Sequence, residues 1–308
     1  MVERIGKVKF NLKHYPGTDA YSDGDIEDEL LDIVKTYPMN NYDKIILERN
    51  SWPLLYHLSK QRENILSWYP FEKSASVLEV GAGCGAVTGA MLDKVKMVTA
   101  VDLSKRRSMI NAHRHKEYEN LEIIVGNFRT IEPELEDRYD YVTLIGVFEY
   151  AGLYMDCENP YTAFLDKVNR LLKENGKILI AIENRLGLKY FAGCKEDHVG
   201  MYFEGIEGYN RTKGVRTFSK AELERMLSDA GYEKYKFYYP YPDYKLPSVI
   251  YSDEFLPKEG ELYNNIRNFD GDRLVLFDET KTFDTLISSE VFPLFSNSFF
   301  IEIEKKVG

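Results

Sequence analysis

The chain has 308 residues, with 40 Lys plus Arg against 50 Asp plus Glu, a net charge of −10 and a pI near 5.2. A chain this long can bury about three-quarters of its unfolded surface, so a sizeable core is available. The acidic balance opposes capture of a phosphate backbone and argues against a nucleic-acid partner. Cys84, Cys157 and Cys194 stand at no metal-ligand spacing and in no paired framework, which fits a reducing cytoplasm, disfavours structural zinc and gives no reason to expect a metal. No apolar run approaches a membrane span, and the N-terminus lacks the basic and apolar regions of a signal peptide.

Residues 1–70 read as a helical cap. One candidate strand, 7–12, comes first; Ile26, Leu30, Leu31, Ile33 and Val34, then Leu54, Leu55, Leu58, Ile65 and Leu66, recur at amphipathic spacing. The run 52–57 could close a site, although an apolar helix packing on a sheet is the simpler reading. From Val77 the alternation is regular: strand 77–80, helix 84–94, strand 97–102, helix 104–117 opened by Ser104, strands 121–125 and 140–146, helix 161–173, and strand 177–182 after a turn at Glu174, Asn175 and Gly176. Repeated strand–helix units predict a parallel sheet wound on both faces. Ser219 and Glu222 then form a capping box for a helix ending before Gly231, followed by an aromatic strand, 232–239, and a last strand, 298–303. Two long insertions, 184–216 and 240–295, exceed what a connection needs and point to function or a subdomain. The expected division is a helical cap at 1–70, a core at 71–240, an insertion at 241–297 that shapes the acceptor site, and a final core strand in 298–308.

The turn after the first core strand is the most informative. Glu79, Val80, Gly81, Ala82, Gly83, Cys84, Gly85 and Ala86 read as a strand end, a glycine turn and a helix start, and Asp102 follows Gly81 by 21 positions. That is near the ~20-residue offset at which a carboxylate receives ribose hydroxyls. Glycines let the backbone turn sharply and leave space that a Cβ would take from a cofactor. The turn satisfies both the G-x-G-x-x-G/A dinucleotide pattern and the E-x-G-x-G-x-G pattern of methyltransferases. Glu79 favours the second, because a carboxylate at a strand end needs a positive or hydrogen-bonding partner. A methionine amino group meets that need directly or through water, and a pyrophosphate does not.

Together with Gly126, Asn127 and Phe128 after the third strand, and Gly146, Val147, Phe148, Glu149 and Tyr150 after the fourth, these residues resemble class I S-adenosylmethionine-dependent methyltransferases over 70–240. The resemblance implies an α/β fold: a Rossmann-like doubly wound sheet with an antiparallel C-terminal hairpin, a helical N-terminal cap and a C-terminal insertion. It implies S-adenosyl-L-methionine as cofactor, held by Glu79, Gly81, Ala82, Gly83, Gly85, Asp102, Leu103, Asn127, Phe128 and Gly146. Asn127 stands where the family often has Asp, and its side-chain carbonyl remains an acceptor for the adenine amino group. The segment 182–193, followed by Asp197 and His198, is similar to a bacterial branch that accompanies glycosyltransferases of surface-polysaccharide assembly. That likeness implies a glycan or small-molecule acceptor and association with a glycosyltransferase, and leaves the oligomeric state open.

Parallel sheets bind ligands at the carboxyl ends of their strands, so Glu79, Asp102, Asn127, 146–150 and 183–185 are expected to converge on one rim. In-line positioning of an acceptor can supply on the order of 7–11 kcal/mol, and a base about 10²–10⁴-fold more in rate. His198, beside Asp197, is the first candidate base because an imidazole stays largely neutral near about pH 7; Glu149 is the second. Each has a plain reading as well: a locally bonded loop histidine, and an acid that orients the cofactor. The aromatics at 235–239 read as strand packing, 241–251 stay open as an acceptor wall, and Lys105, Arg106 and Arg107, which could meet an anionic acceptor, read more simply as a solvated helix face. An O-methyl transfer to a saccharide leads. A nicotinamide-dependent oxidoreductase and a non-catalytic, cofactor-binding scaffold beside a glycosyltransferase are the rivals.

Overall fold

The computed structural model describes residues 1–19, 24–136, 138–155, 157–265 and 272–306. Parts of the expected cap (20–23), core (137 and 156), insertion (266–271) and final strand segment (307–308) lie outside the described residues. The chain divides into two compact units, Met1–Leu144 with Leu171–Lys177, and Ile145–Arg170 with Ile178–Gly308.

In the first unit β1 (Val2–Ile5), β2 (Val8–His14), β3 (Ser76–Val80), β4 (Met97–Asp102), β5 (Leu121–Gly126) and β6 (Tyr139–Ile145) run in the order β1-β2-β5-β4-β3-β6. β1 and β2 are antiparallel, whereas β2 with β5, β5 with β4, β4 with β3 and β3 with β6 are parallel. The central strands are near-continuous apolar runs, with Val77, Leu78, Val98, Ala100, Ile123, Val142 and Leu144 buried, as a sheet covered on both faces requires. The segment expected to be a helical cap therefore begins as sheet: β1 was not foreseen, and β2 extends the parallel array. Helices Ile26–Thr36, Tyr42–Arg49 and Trp52–Leu58 follow. They bury Leu30, Ile33, Val34, Tyr42, Ile45, Leu54 and Leu58 around Cys84 and Ile110, so the run 52–57 is packing. The helix expected over 84–94 is only Gly89–Leu92; left-handed glycines carry the turn through residue 85, and a glycine is a poor helix residue.

In the second unit β7 (Leu172–Glu183, of which Ile178 onward belongs to this unit), β8 (Tyr235–Tyr241), β9 (Val249–Ser252) and β10 (Ser298–Glu304) run in the order β7-β10-β8-β9. Glu174, Asn175 and Gly176, expected as a turn before the strand, fall within β7. β10 is antiparallel to β8, with Phe300 opposite Tyr238, which is the expected C-terminal pair. β9 comes from the long insertion and adds a further antiparallel strand. Aromatic edges lock β8 to β10: Phe237 meets Phe299 at 5.4 Å and Tyr238 meets Phe300 at 5.9 Å between ring centroids. The helix Lys220–Asp229 opens on the expected capping box of Ser219 and Glu222. Parallel central strands in the first unit and antiparallel C-terminal strands in the second define a Rossmann-like α/β fold.

Candidate active site

The first unit holds the glycine turn. Gly81, Gly83 and Gly85 all have positive φ, at 72°, 53° and 75°, a backbone that L side chains rarely adopt. The amides of Gly81 and Ala82 donate to the Val101 carbonyl at 2.8 and 3.1 Å, tying the turn to β4. A Cβ at Gly85 would collide with Asn111 Oδ1, and one at Gly83 would lie 3.3 Å from the Arg107 guanidinium. Close approach of the helix Lys105–Arg114 thus already demands glycine at 85, while at 83 the positive φ is the stronger constraint, a reason additional to the sharp turn and the cofactor space expected from the sequence. Arg107 lies against this turn with Glu27 at 3.8 Å, and Arg106 pairs with Asp28 at 3.1 Å; these two arginines are not a merely solvated face.

Asp102, at the end of β4, is aimed by the backbone. Its Oδ2 accepts from the Gly83 amide at 2.7 Å and its Oδ1 from the Ser104 amide at 2.9 Å. A carboxylate has about four acceptor sites, so two are left for ribose hydroxyls, and the side chain fits that role. Ser104 Oγ also caps its helix by accepting from Arg107 N at 3.2 Å. Leu103 beside it is half-buried.

Glu79 is buried at the end of β3, and its Oε2 accepts from Thr88 Oγ1 at 2.6 Å. Thr88 in turn accepts from Asn111 Nδ2 at 3.2 Å, and His115 Nδ1 lies 2.8 Å from Asn111 Oδ1. Burial pushes the Glu79 carboxyl up to about 8, with Asp102 adding to the rise and the Thr88 hydroxyl opposing it. A buried acid so poised fits a cationic amino group, which would restore its charge. Asn127 caps the short helix Phe128–Ile131 by accepting from Arg129 N at 2.9 Å, and both Asn127 and Phe128 are half-buried.

The second unit holds the candidate bases. Gly146, at φ 67°, donates to the Ala181 carbonyl at 2.9 Å, and a Cβ there would lie 2.7 Å from the Tyr244 hydroxyl. Glu149 and Glu183, the latter ending β7, are each 1% exposed. His198 Nε2 lies 3.4 Å from Glu149 Oε1 and 3.8 Å from Glu183 Oε2. Its partner on the other side is Glu196, whose Oε1 lies 3.1 Å from Nδ1. Glu196 is itself fixed by the amides of His198 and Val199 at 2.7 and 2.8 Å and by the Tyr209 hydroxyl at 3.0 Å.

Asp197, the sequence neighbour considered as an orienting partner for His198, points to other cations. It accepts from Tyr190 and Lys245 and pairs with Lys189 at 2.9 Å. Burial opposes its charge, yet the two lysines hold its carboxyl well below the usual range. Lys245 also reaches Glu183 Oε1 at 3.1 Å. Burial disfavours a charged His198, but Glu183, Glu149 and Glu196 outweigh it and raise the imidazole to about 11. His198 is therefore an imidazolium in this arrangement, not the neutral group the sequence suggested. Glu149 moves upward through burial and the nearby Glu183 carboxylate, against the pull of His198.

Side-chain amides brace these residues. Asn184 Nδ2 donates to the carbonyls of Leu294 and Ser296 at 2.9 and 2.7 Å. Asn297 Oδ1 accepts from Lys189 N at 2.9 Å while its Nδ2 donates to the Pro242 carbonyl at 2.9 Å. A cavity of about 300 Å³ lies beside them, with Lys189, Asp197, Asp243, Asn265, Arg273 and Asn297 in its wall. It draws on both long insertions. Glu196 and Lys245 carry no motif of their own, and Lys189 lies within the segment 182–193 without being assigned a role; Glu183 is marked by the apolar run, Ile178 to Ile182, that ends abruptly in it.

A nucleoside-cofactor turn on parallel strands, closed by Asp102, defines the class, and comparison supplies the family. A methyltransferase domain model matches residues 55–236. The chain belongs to that family and is an S-adenosylmethionine-dependent methyltransferase, so the dinucleotide reading of the turn is set aside. Ribosomal RNA small subunit methyltransferase A of Borreliella afzelii is 23% identical over 134 residues, 43% of this chain and 43% of that protein. The chain thus matches less than half the length of this curated relative. Among solved structures, a possible histamine N-methyltransferase from Thermotoga maritima covers 90% of this chain and all of its own at 16% identity, with a TM-score of 0.46. Phosphoethanolamine N-methyltransferase 1 of Haemonchus contortus covers 91% of this chain and 50% of its own at 14% identity, with a TM-score of 0.49. Among the described residues, no helix is long and apolar enough to cross a membrane.

Proposed function

We propose that this chain methylates a hydroxyl oxygen of a saccharide, or of a related polyhydroxylated small molecule, in surface-polysaccharide biosynthesis in the cytoplasm. The observation that carries this reading is the wall of the cavity in the second unit, where ammonium, carboxylate, amide and guanidinium groups outnumber apolar ones. Such a wall offers an acceptor with many hydroxyls a set of hydrogen-bonding partners on several sides. The likeness of 182–193 to proteins that accompany glycosyltransferases supports the same acceptor class, and partnership with a glycosyltransferase belongs to this reading.

When bound, S-adenosylmethionine supplies a methyl group activated by a sulfonium. Asp102 holds ribose hydroxyls, Glu79 receives the amino group directly or through water, and Gly81, Ala82, Gly83, Gly85 and Leu103 form the surrounding backbone. Asn127 and Phe128 take the adenine, and Gly146 lines the approach. His198 and Glu149 act on the acceptor: Glu149 orients the hydroxyl and takes its proton as the methyl group arrives, and the His198 imidazolium beside it offsets the carboxylate's charge. Incubating the full chain with methyl-labelled cofactor and a panel of sugars tests the proposal. Label in alkali-stable methyl ethers is the expected result. Label on nitrogen, or cofactor binding without transfer to any hydroxylated acceptor, would overturn it, the second outcome pointing to a scaffold.

A further inference from the structure

Glu149, Glu183 and His198 are separated in sequence and meet in the second unit, where one ligand atom from each lies within 4.8 Å of the others. Glu149 Oε2 and both oxygens of Glu183 are buried and accept no hydrogen bond, which is costly unless something else meets them. The cations within reach are His198 Nε2 and, for Glu183 Oε1, Lys245 Nζ. At 3.4 and 3.8 Å the two His198 separations are too long for charge-assisted hydrogen bonds, which run ~2.7–2.9 Å. Two donors each ~2.0–2.2 Å from a shared ion, however, stand up to ~4.4 Å apart. The Nδ1 side of His198 is already held by Glu196, the outer carboxylate that turns the other imidazole nitrogen toward a metal in histidine–metal sites. Local charge points the same way: among the described residues, the ion pairs of Glu149, Glu183, Glu196, Asp197 and Asp243 are made with Lys189, Lys245 and His198, three cations for five acids.

We propose that Glu149, Glu183 and His198 bind one divalent transition-metal ion, with His198 Nε2 and one oxygen from each glutamate as ligands and Glu196 as the outer support. The ion takes the place of the proton on His198. An imidazole with two carboxylates favours manganese- or zinc-type ions over magnesium, which prefers oxygen and water throughout. Three protein ligands leave coordination positions open, so the ion can hold an oxygen of an incoming ligand. The site stands whether or not the acceptor is a saccharide, because it is read without any acceptor.

The test uses the full chain, stripped with a chelator and titrated with Mn²⁺ while free Mn²⁺ is followed by electron paramagnetic resonance. One ion per chain is expected, together with a rise in melting temperature that the chelator reverses. Glu183→Gln and His198→Gln should each weaken binding about 100-fold or more, and Glu196→Gln about 10–100-fold, while the exposed Glu119→Gln should not change it. If a variant fails to fold, the chelator-reversible shift of the parent decides. No uptake of Mn²⁺ or Zn²⁺ and no thermal shift in the parent would overturn the site, leaving a cluster closed by a proton and Lys245. Undiminished binding in folded Glu183→Gln and His198→Gln would do so equally.

Discussion

The glycine turn of the first unit and the acid–imidazole cluster of the second both withdraw carboxylates from water, but they compensate them differently. Asp102 is met by the backbone amides of Gly83 and Ser104, donors that any sequence supplies once the turn is formed. Glu149 and Glu183 face side-chain cations and have oxygens that accept nothing. Backbone compensation makes a site robust to substitution around it. Side-chain compensation makes each partner indispensable, because losing one leaves a buried charge alone.

The largest effect should therefore come from the cluster. His198→Ala is expected to lower turnover about 10²–10⁴-fold with cofactor affinity within about twofold of the parent, and asparagine at 198 should not rescue it. Steady-state rates on the methylated acceptor decide, and activity within a few-fold of the parent would remove His198 from the reaction. Asp102→Ala should show the opposite profile. Loss of a hydrogen bond to a charged group, worth about 1.5–3 kcal/mol, weakens S-adenosylmethionine on the order of tenfold to a hundredfold in calorimetry, and unchanged affinity in a folded variant would refute the ribose role.

Backbone strain sharpens the contrast further. Gly85→Ala places a Cβ against Asn111 at a φ of 75°, and should cost about 1–3 kcal/mol of stability in urea unfolding. A neutral result would mean that the turn is softer than its contacts imply. Glu79 supplies a pH dependence. Its folded carboxyl, at about 8, lies above the 4.5 of an exposed glutamate, so the folded chain retains a proton that the unfolded chain has released. Stability should then fall as pH rises from about 4.5 towards about 8 and level off above, relative to Glu79→Gln. Parallel slopes in the two proteins would count against the raised acid. Smallest is Ser219→Ala, which removes one side of the capping box and should cost about 1 kcal/mol without altering cofactor binding, as melting and calorimetry can check.

What the sequence disclosed divides along the same line. Glu79, the glycines and Asp102 lie on one strand–turn–helix–strand stretch, where spacing alone carries geometry. Ser219 with Glu222 was equally legible, since a capping box is local. His198 was singled out, but its partner was not: Asp197 is adjacent in the chain, and the loop turns it toward Lys189 and Lys245 while Glu196, two positions back, meets the imidazole. Lys245 and Glu183 come together across 62 positions, a pairing that no periodicity announces. β1 escaped notice because Val2, Glu3, Arg4 and Ile5 are too short and too exposed to show a pattern.

Asn184 and Asn297 give the second unit a timetable. Asn184 reaches carbonyls 110 and 112 positions further along, and Lys189 is anchored by Asn297 at a separation of 108. Contacts so distant in sequence form slowly, since the intervening chain must first be gathered. During synthesis the loop that carries His198 leaves the ribosome well before the residues that brace its base. The glycine turn can organise from local contacts, while the acid–imidazole pocket waits for the last strand to emerge.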